Sequence, residues 1–85
     1  MGQALKKLEH RLEMAERLVV DGEARIFKLR AQRKALQNLG EDTRMLEAAL
    51  AQYEALQILH LEDREKMQQE LRSHDTAQLR SAVAA

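Results

Sequence analysis

The chain has 85 residues, which is enough for one small domain and too few for two. Ala, Glu, Lys, Leu and Arg supply 51 of these residues, a bias typical of long helices and coiled coils. Proline is absent, and Phe27 and Tyr53 are the only aromatic residues. The chain therefore lacks the residues that form the strands and turns of a β-sandwich or a Rossmann fold. The lack of cysteine excludes disulfides, a thiolate nucleophile and a cysteine-based zinc site.

The net charge is zero, yet the two halves of the chain differ in sign. Residues 1–40 carry nine basic and five acidic residues, and residues 41–85 carry five basic and nine acidic residues. The hydrophobic fraction of 45% is too high for a disordered charged tail, and no apolar run approaches the ~18 residues that span a membrane. No segment has the pattern of a signal peptide, so we expect a cytoplasmic protein that does not enter a membrane.

The first helix is predicted from apolar residues that alternate at spacings of three and four. This heptad seam extends over about five repeats and indicates a coiled-coil helix from about residue 3 to residue 38. Only Gly22 and Arg33 interrupt its apolar character. The predicted seam positions are Leu5, Leu8, Leu12, Ala15, Val19, Gly22, Ile26, Leu29, Arg33 and Leu36.

The heptad pattern stops at residues 38–43, where we predict a turn. Gly40 suits the left-handed residue that closes a helix, and Asp42 or Thr43 suits the N-cap of the next helix. A connection this short joins neighbouring antiparallel helices. We therefore predict an all-α fold, an antiparallel two-helix coiled-coil hairpin over residues 1–72, in which residue i faces roughly residue 82 − i.

The second helix is predicted from about residue 43 to residue 72. Its seam positions are Leu46, Ala49, Tyr53, Leu56, His60, Asp63 and Met67, followed by Glu70 or Leu71. Beyond Leu56 the strict spacing selects polar residues, so we expect the apolar face to drift towards Leu59, Met67 and Leu71. The pattern fades from Ser73, and we predict a short frayed helix or a tail over residues 73–85.

His60 and Asp63 are the clearest candidates for chemistry, because their (i, i+3) spacing places them on one helical face. Such a pair could act in acid–base catalysis or supply half of a metal site, but a hairpin offers little cavity and no placed nucleophile. His10 and His74, at the open end, lack a third ligand. We therefore interpret His60 as the structural partner of Gly22, and we predict no catalytic residue, no metal site and no cofactor.

Five short motifs lie along the two helices and the connection: Ala15-Glu16-Arg17, Gly22-Glu23 with Ile26, Gln32-Arg33, Asp42-Thr43, and Leu59-His60 followed by Asp63-Arg64. Together they resemble the motifs of a group of uncharacterised helical proteins of proteobacteria. The resemblance covers roughly Glu9 to Leu71. It implies a bacterial origin and a small stand-alone hairpin without a known activity, and it favours the pairing of Gly22 with His60.

A second set of apolar residues lies outside the seam on both helices. A lone hairpin of this size exposes much of its surface, so we expect a second copy to cover it and to form a homodimeric four-helix bundle. The expected self-association residues are Val20, Ala24, Phe27, Ala31, Ala51, Ala55 and Ile58.

These patterns favour a small non-enzymatic protein that acts through self-association and protein–protein interaction. Its first expected partner is a second copy, and another protein comes next. The alternative is a nucleic-acid-binding or regulatory accessory protein that uses the basic residues of helix 1, five of which fall within residues 25–34. The chain has no net positive charge and few aromatic residues to stack on bases, so we expect nucleic acid not to be the partner.

Overall fold

The computed structural model of the chain describes residues 2–84, with side chains described through residue 82. Helix α1 is Gly2–Asn38 and helix α2 is Arg44–Ala84, and residues 39–43 connect them. No strand occurs between residues 2 and 84. The predicted all-α fold with two helices is confirmed.

Ion pairs between the two helices show that they run antiparallel. Arg11, early in α1, lies 3.8 Å from Glu70, late in α2. Arg30, late in α1, lies 3.0 Å from Glu54, early in α2. The molecule measures 70 × 16 × 15 Å, as expected for two long helices side by side. The fold is therefore a helical hairpin with a single layer of helices.

Gly40 ends α1 in a left-handed conformation, with a φ of 72°. The N–H of Gly40 donates to the Gln37 carbonyl at 3.0 Å, and the N–H of Glu41 donates to the Leu36 carbonyl at 2.9 Å. These two bonds form the Schellman motif, which satisfies carbonyls that the end of a helix would leave unpaired. The predicted role of Gly40 is confirmed.

Asp42 and Thr43 together form the start of α2, as the sequence predicted. The Thr43 carbonyl accepts the N–H of Glu47 at 2.8 Å, the first hydrogen bond of the helix. The Asp42 carboxylate accepts the backbone N–H of Arg44 at 3.0 Å. The Arg44 guanidinium also donates to both Asp42 carboxylate oxygens, and these hydrogen bonds hold the pKa of Asp42 below its usual value.

The seam of α1 follows the predicted heptad positions without exception. Ala15, Val19 and Ile26 are buried, and the other seven predicted positions are half-buried. Every other described residue of α1 is exposed. The first predicted seam is therefore confirmed along its whole length.

The seam of α2 keeps the predicted positions 46, 53, 60 and 67, but between them the residue after the predicted one turns inward. Its inward positions are Leu46, Leu50, Tyr53, Gln57, His60, Arg64, Met67, Leu71 and His74, with Ala49, Glu54 and Gln68 half-buried beside them. Leu56 and Asp63, which the sequence placed in the seam, are exposed, and the face does not drift towards Leu59. The reason is that Leu50 and Leu71 both pack inward, and a regular heptad between them also turns residues 57 and 64 inward.

Helix α2 continues beyond residue 72, where the sequence predicted its end. The Thr76 hydroxyl donates to the Arg72 carbonyl at 2.9 Å, an arrangement that a helix interior accommodates. No Gly or Pro follows residue 72 to break the helix. The segment predicted as a short frayed helix or tail is thus the last part of α2 up to Ala84. Met1 and Ala85, at the ends of the predicted segments, lie outside the described residues.

Replacing Gly40 with Ala is expected to lower the free energy of unfolding by about 1 kcal/mol, because a Cβ disfavours the left-handed conformation. Gly40→Asn is expected to lose less, since Asn tolerates this conformation better. Gly2→Ala is the matched control, because its φ is not positive and no described atom lies within 4 Å of the added Cβ. Urea unfolding at one fixed chain concentration measures all three variants. Equal unfolding midpoints for Gly40→Ala and Gly2→Ala would contradict the role of Gly40.

Candidate interaction surface

The centre of the seam is built around a buried glutamine. Gln57 is only 7% exposed, and its Nε2 donates to the backbone carbonyl of Val19 in α1 at 2.8 Å. Gly22 makes room for this side chain, because a Cβ at residue 22 would lie 2.8 Å from Gln57 Cδ and closer still to Gln57 Oε1. A buried amide requires a hydrogen-bond partner to offset its loss of hydration. The approach of Gln57 to Val19 therefore requires glycine at position 22.

Gln57 occupies the place beside Gly22 in which the sequence predicted His60. The three atoms nearest to a Cβ at Gly22 all belong to Gln57, and this corrects the predicted partner of the glycine. His60 follows Gln57 by about one helical turn, is half-buried and lines the same groove as Gly22. Residue 22 therefore faces residue 57, three residues before the position 60 that the relation 82 − i predicts. The inward phase set by Leu50 and Leu71 is the sequence signal that identifies Gln57.

Three polar side chains follow one another along the seam of α2, and we call Gln57, His60 and Arg64 the polar row. Each has one buried atom without a hydrogen-bond partner among the described residues: Gln57 Oε1, His60 Nδ1 and Arg64 Nε. Polar side chains at these positions bury less apolar surface than leucine or valine would, and apolar burial is what stabilises a coiled-coil seam. This part of the seam therefore holds the helices together less strongly than an apolar seam of the same length.

A groove between the helices runs along one side of the polar row. One part has a volume of about 510 Å³ and is lined by Leu18, Leu56 and His60 among others. The other part, of about 210 Å³, is lined mainly by apolar groups and includes Met14, Leu18, His60 and Met67. Leu18 and His60 line both parts, so the two form one continuous surface. We call it the inter-helix groove.

Two leucines give the inter-helix groove its apolar character and remain partly open to solvent. Leu18 is 47% exposed and Leu56 is 44% exposed. The heptad spacing predicted Leu56 in the seam and gave no signal for Leu18. Both residues follow from the observed phase of the helices, because each lies one position away from an inward residue, Val19 or Gln57.

The seven predicted self-association residues are all exposed. The largest of them, Phe27, Val20 and Ile58, are 75%, 62% and 57% exposed. We call the surface formed by these three residues with Ala31, Ala51 and Ala55 the outer face. Ala24, the remaining predicted residue, lines the edge of the inter-helix groove.

The Arg30–Glu54 ion pair shows that Phe27 and Ile58 lie on the same side of the hairpin. Phe27 precedes Arg30 by three residues, and residues at this spacing are neighbours on one helical face. Ile58 follows Glu54 by four residues, which gives the same relation in α2. Because Arg30 Nη2 and Glu54 Oε1 are 3.0 Å apart, Phe27 and Ile58 lie beside the same ion pair.

The basic residues between positions 25 and 34 do not form one continuous face. Arg25 lies over the Tyr53 ring, 5.1 Å from its centroid, and donates to the Tyr53 hydroxyl at 2.8 Å. Arg30 pairs with Glu54, and Arg33 is half-buried in the seam. Three of the five basic residues therefore contact α2 or lie in the seam between the helices.

The residues considered for chemistry are also placed by the structure. His10, His60 and Asp63 line the smaller part of the inter-helix groove, and His74 Nε2 lies 3.3 Å from Gln78 Nε2. Within the described part of the chain, no three His, Asp or Glu side chains are grouped so that they could hold a metal ion. Neither α1 nor α2 has a stretch that is apolar enough to cross a membrane.

Comparison of the chain with protein-family models, with curated proteins and with solved structures finds no match. The resemblance to helical proteins of proteobacteria therefore stays a prediction.

Gly22→Ala is expected to leave the chain no more stable than before, although alanine is favoured over glycine by up to ~1 kcal/mol inside a helix. The added Cβ displaces the Gln57 amide and breaks its hydrogen bond to Val19. In a Gln57→Ala background the same change is expected to raise the free energy of unfolding by about 1 kcal/mol, because the obstacle is removed. A double-mutant cycle measured by urea unfolding gives the coupling. A coupling of zero would show that Gly22 has no packing role.

Proposed function

We propose that this chain is a non-enzymatic helical interaction module that associates with a second copy through its outer face, forming a four-helix bundle. The observation that carries the proposal is the large accessible surface of the single chain, 6926 Å². A compact monomer of 9.8 kDa is expected to expose about 5,200 Å². The difference of roughly 1,700 Å² is more than the ~800 Å² that each partner buries in an interface of standard size.

The small core of the hairpin supports the same conclusion. The buried apolar residues within the described part of the chain are Ala15, Val19, Ile26 and Leu50. A core of so few residues contributes little stability, and the chain has no cysteine with which a disulfide could add to it. A second hairpin supplies further burial without any change within the seam.

The outer face has the chemistry of a contact surface. Phe27 and Ile58 are large apolar side chains of the kind found in the buried centre of interfaces, and full burial of each is worth about 1.5–3 kcal/mol. The alanines of the outer face allow a neighbouring helix to approach closely. The Arg30–Glu54 pair is already satisfied within the chain, so it brings no unpaired charge to the contact.

Phe27→Glu combined with Ile58→Glu is expected to abolish association through the outer face, because that contact would then bury four carboxylates on an apolar surface. Light scattering at high micromolar concentration is expected to report at least twice the mass of one chain for the unmodified protein, and a lower mass for the variant.

Met45→Glu combined with Leu79→Glu is the matched control, because it makes the same change of charge at two exposed apolar residues outside the outer face. This control is expected to keep the mass of the unmodified protein, and circular dichroism checks that each variant remains helical. A monomeric unmodified protein, or an unchanged mass in the Phe27/Ile58 variant, would contradict the proposed interface.

A further inference from the structure

We infer that the inter-helix groove is a second self-association face, so that the hairpins assemble beyond the dimer. This step rests on the proposed function, which takes the outer face as the first interface. The occupant of the groove is another copy of the same chain.

The inter-helix groove and the outer face lie on nearly opposite sides of the hairpin. Two residues along an α-helix are related by a rotation of about 200°. Leu18 in the groove and Val20 on the outer face are two residues apart in α1. Leu56 in the groove and Ile58 on the outer face are two residues apart in α2. Both helices therefore place large, exposed apolar side chains on both sides of one layer.

The excess surface matches two interfaces better than one. The hairpin exposes roughly 1,700 Å² more than a compact chain of its mass, and a standard interface buries ~800 Å² on each partner. One such contact on the outer face leaves about half of the excess uncovered. The half that remains includes Leu18 and Leu56, which are almost equally exposed.

The charges around the inter-helix groove suit a second copy of the chain. Charged residues of both signs line it: the basic residues are Arg11, Arg25 and Lys28, and the acidic ones are Asp21 and Asp63. A partner that carries only one sign of charge would therefore be attracted by some of them and repelled by the others. A second copy carries the same mixture and has no net charge. Because residues 1–40 are basic overall and residues 41–85 are acidic overall, the copy can place its acidic helix over the basic helix of the first chain.

Two self-complementary faces on opposite sides of one hairpin have a consequence for assembly. A dimer formed through the outer faces still presents a free groove on each of its two sides. Each free groove can receive the groove of another dimer, so the mass increases with concentration beyond that of two chains. Disruption of either face is expected to stop assembly at the dimer.

The test compares masses by sedimentation over a wide range of concentration. Leu18→Glu with Leu56→Glu places carboxylates in the groove and prevents association through it. Phe27→Glu with Ile58→Glu does the same at the outer face. The unmodified chain is expected to exceed the mass of a dimer. Each double variant is expected to stop near two chain masses, and the variant that carries all four substitutions is expected to remain near one chain mass. Met45→Glu with Leu79→Glu serves as the control, with the mass of the unmodified chain expected.

The outcomes separate this inference from the proposed function. An unmodified chain that remains a dimer at all concentrations, unchanged by the Leu18/Leu56 pair, would overturn the second face and leave the outer-face dimer intact. A Phe27/Ile58 variant that is monomeric at every concentration would also overturn it. Dimers lost only in the Leu18/Leu56 variant would support the groove as an association face and overturn the outer face.

A second measurement does not depend on placing a charge in the groove. The chain has no cysteine, so Leu18→Cys introduces a single thiol in the groove with little change of shape. Its reaction with a thiol reagent is expected to slow about fivefold when the total chain concentration is about ten times the dissociation constant of the groove contact, because only about one fifth of the thiols then remain uncovered. Leu79→Cys, outside both faces, is expected to react at a constant rate. Equal behaviour of the two thiols would contradict association through the groove.

Discussion

The hydrogen bond from Gln57 to the Val19 carbonyl forms only in the rotation of α2 that also turns Leu50 and Leu71 inward. With Gln57 turned inward, Leu56 lies about 100° to one side and Ile58 about 100° to the other, so the first reaches the inter-helix groove and the second reaches the outer face. A rotation by one residue would bury Leu56 and remove an apolar residue from the groove. The two surfaces proposed for association therefore both depend on a polar contact and on the glycine that admits it.

The sequence was sufficient to predict α1 and the connection, because only one solution is physically acceptable there. The apolar residues of α1 follow a single heptad phase from Leu5 to Leu36, and the positions beside them are mainly charged or polar. Gly40 is followed directly by acidic and cap-forming residues, and local hydrogen bonds determine the geometry of such a turn. Neither feature depends on what the second helix contributes.

The seam of α2 could not be predicted in the same way, because two heptad phases share the positions of Leu46, Tyr53 and Met67. One phase adds Ala49, Leu56, Asp63 and Glu70, and the other adds Leu50, Gln57, Arg64 and Leu71. The second phase avoids burying carboxylates, and the methylene stems of Gln and Arg pack while their ends seek polar partners. The free-energy cost of burying the Gln57 amide is reduced because Gly22, in the other helix, lets it reach the Val19 carbonyl. The pattern of α2 alone does not contain this relation between distant residues. The same missing relation led to the expected pairing of Gly22 with His60.

The polar row connects this choice of phase to association. Gln57, His60 and Arg64 occupy positions that apolar residues would fill in a hairpin built to be stable alone, and each keeps a buried atom without a partner among the described residues. Meanwhile Leu18, Leu56, Phe27 and Ile58 remain on the surface. Turning leucines inward would stabilise the single hairpin but would remove the surfaces through which copies can meet. Keeping them outward weakens the seam and makes burial against another hairpin the larger gain. In the proposed assembly, the distribution of apolar residues between seam and surface thus favours the associated state over the single chain.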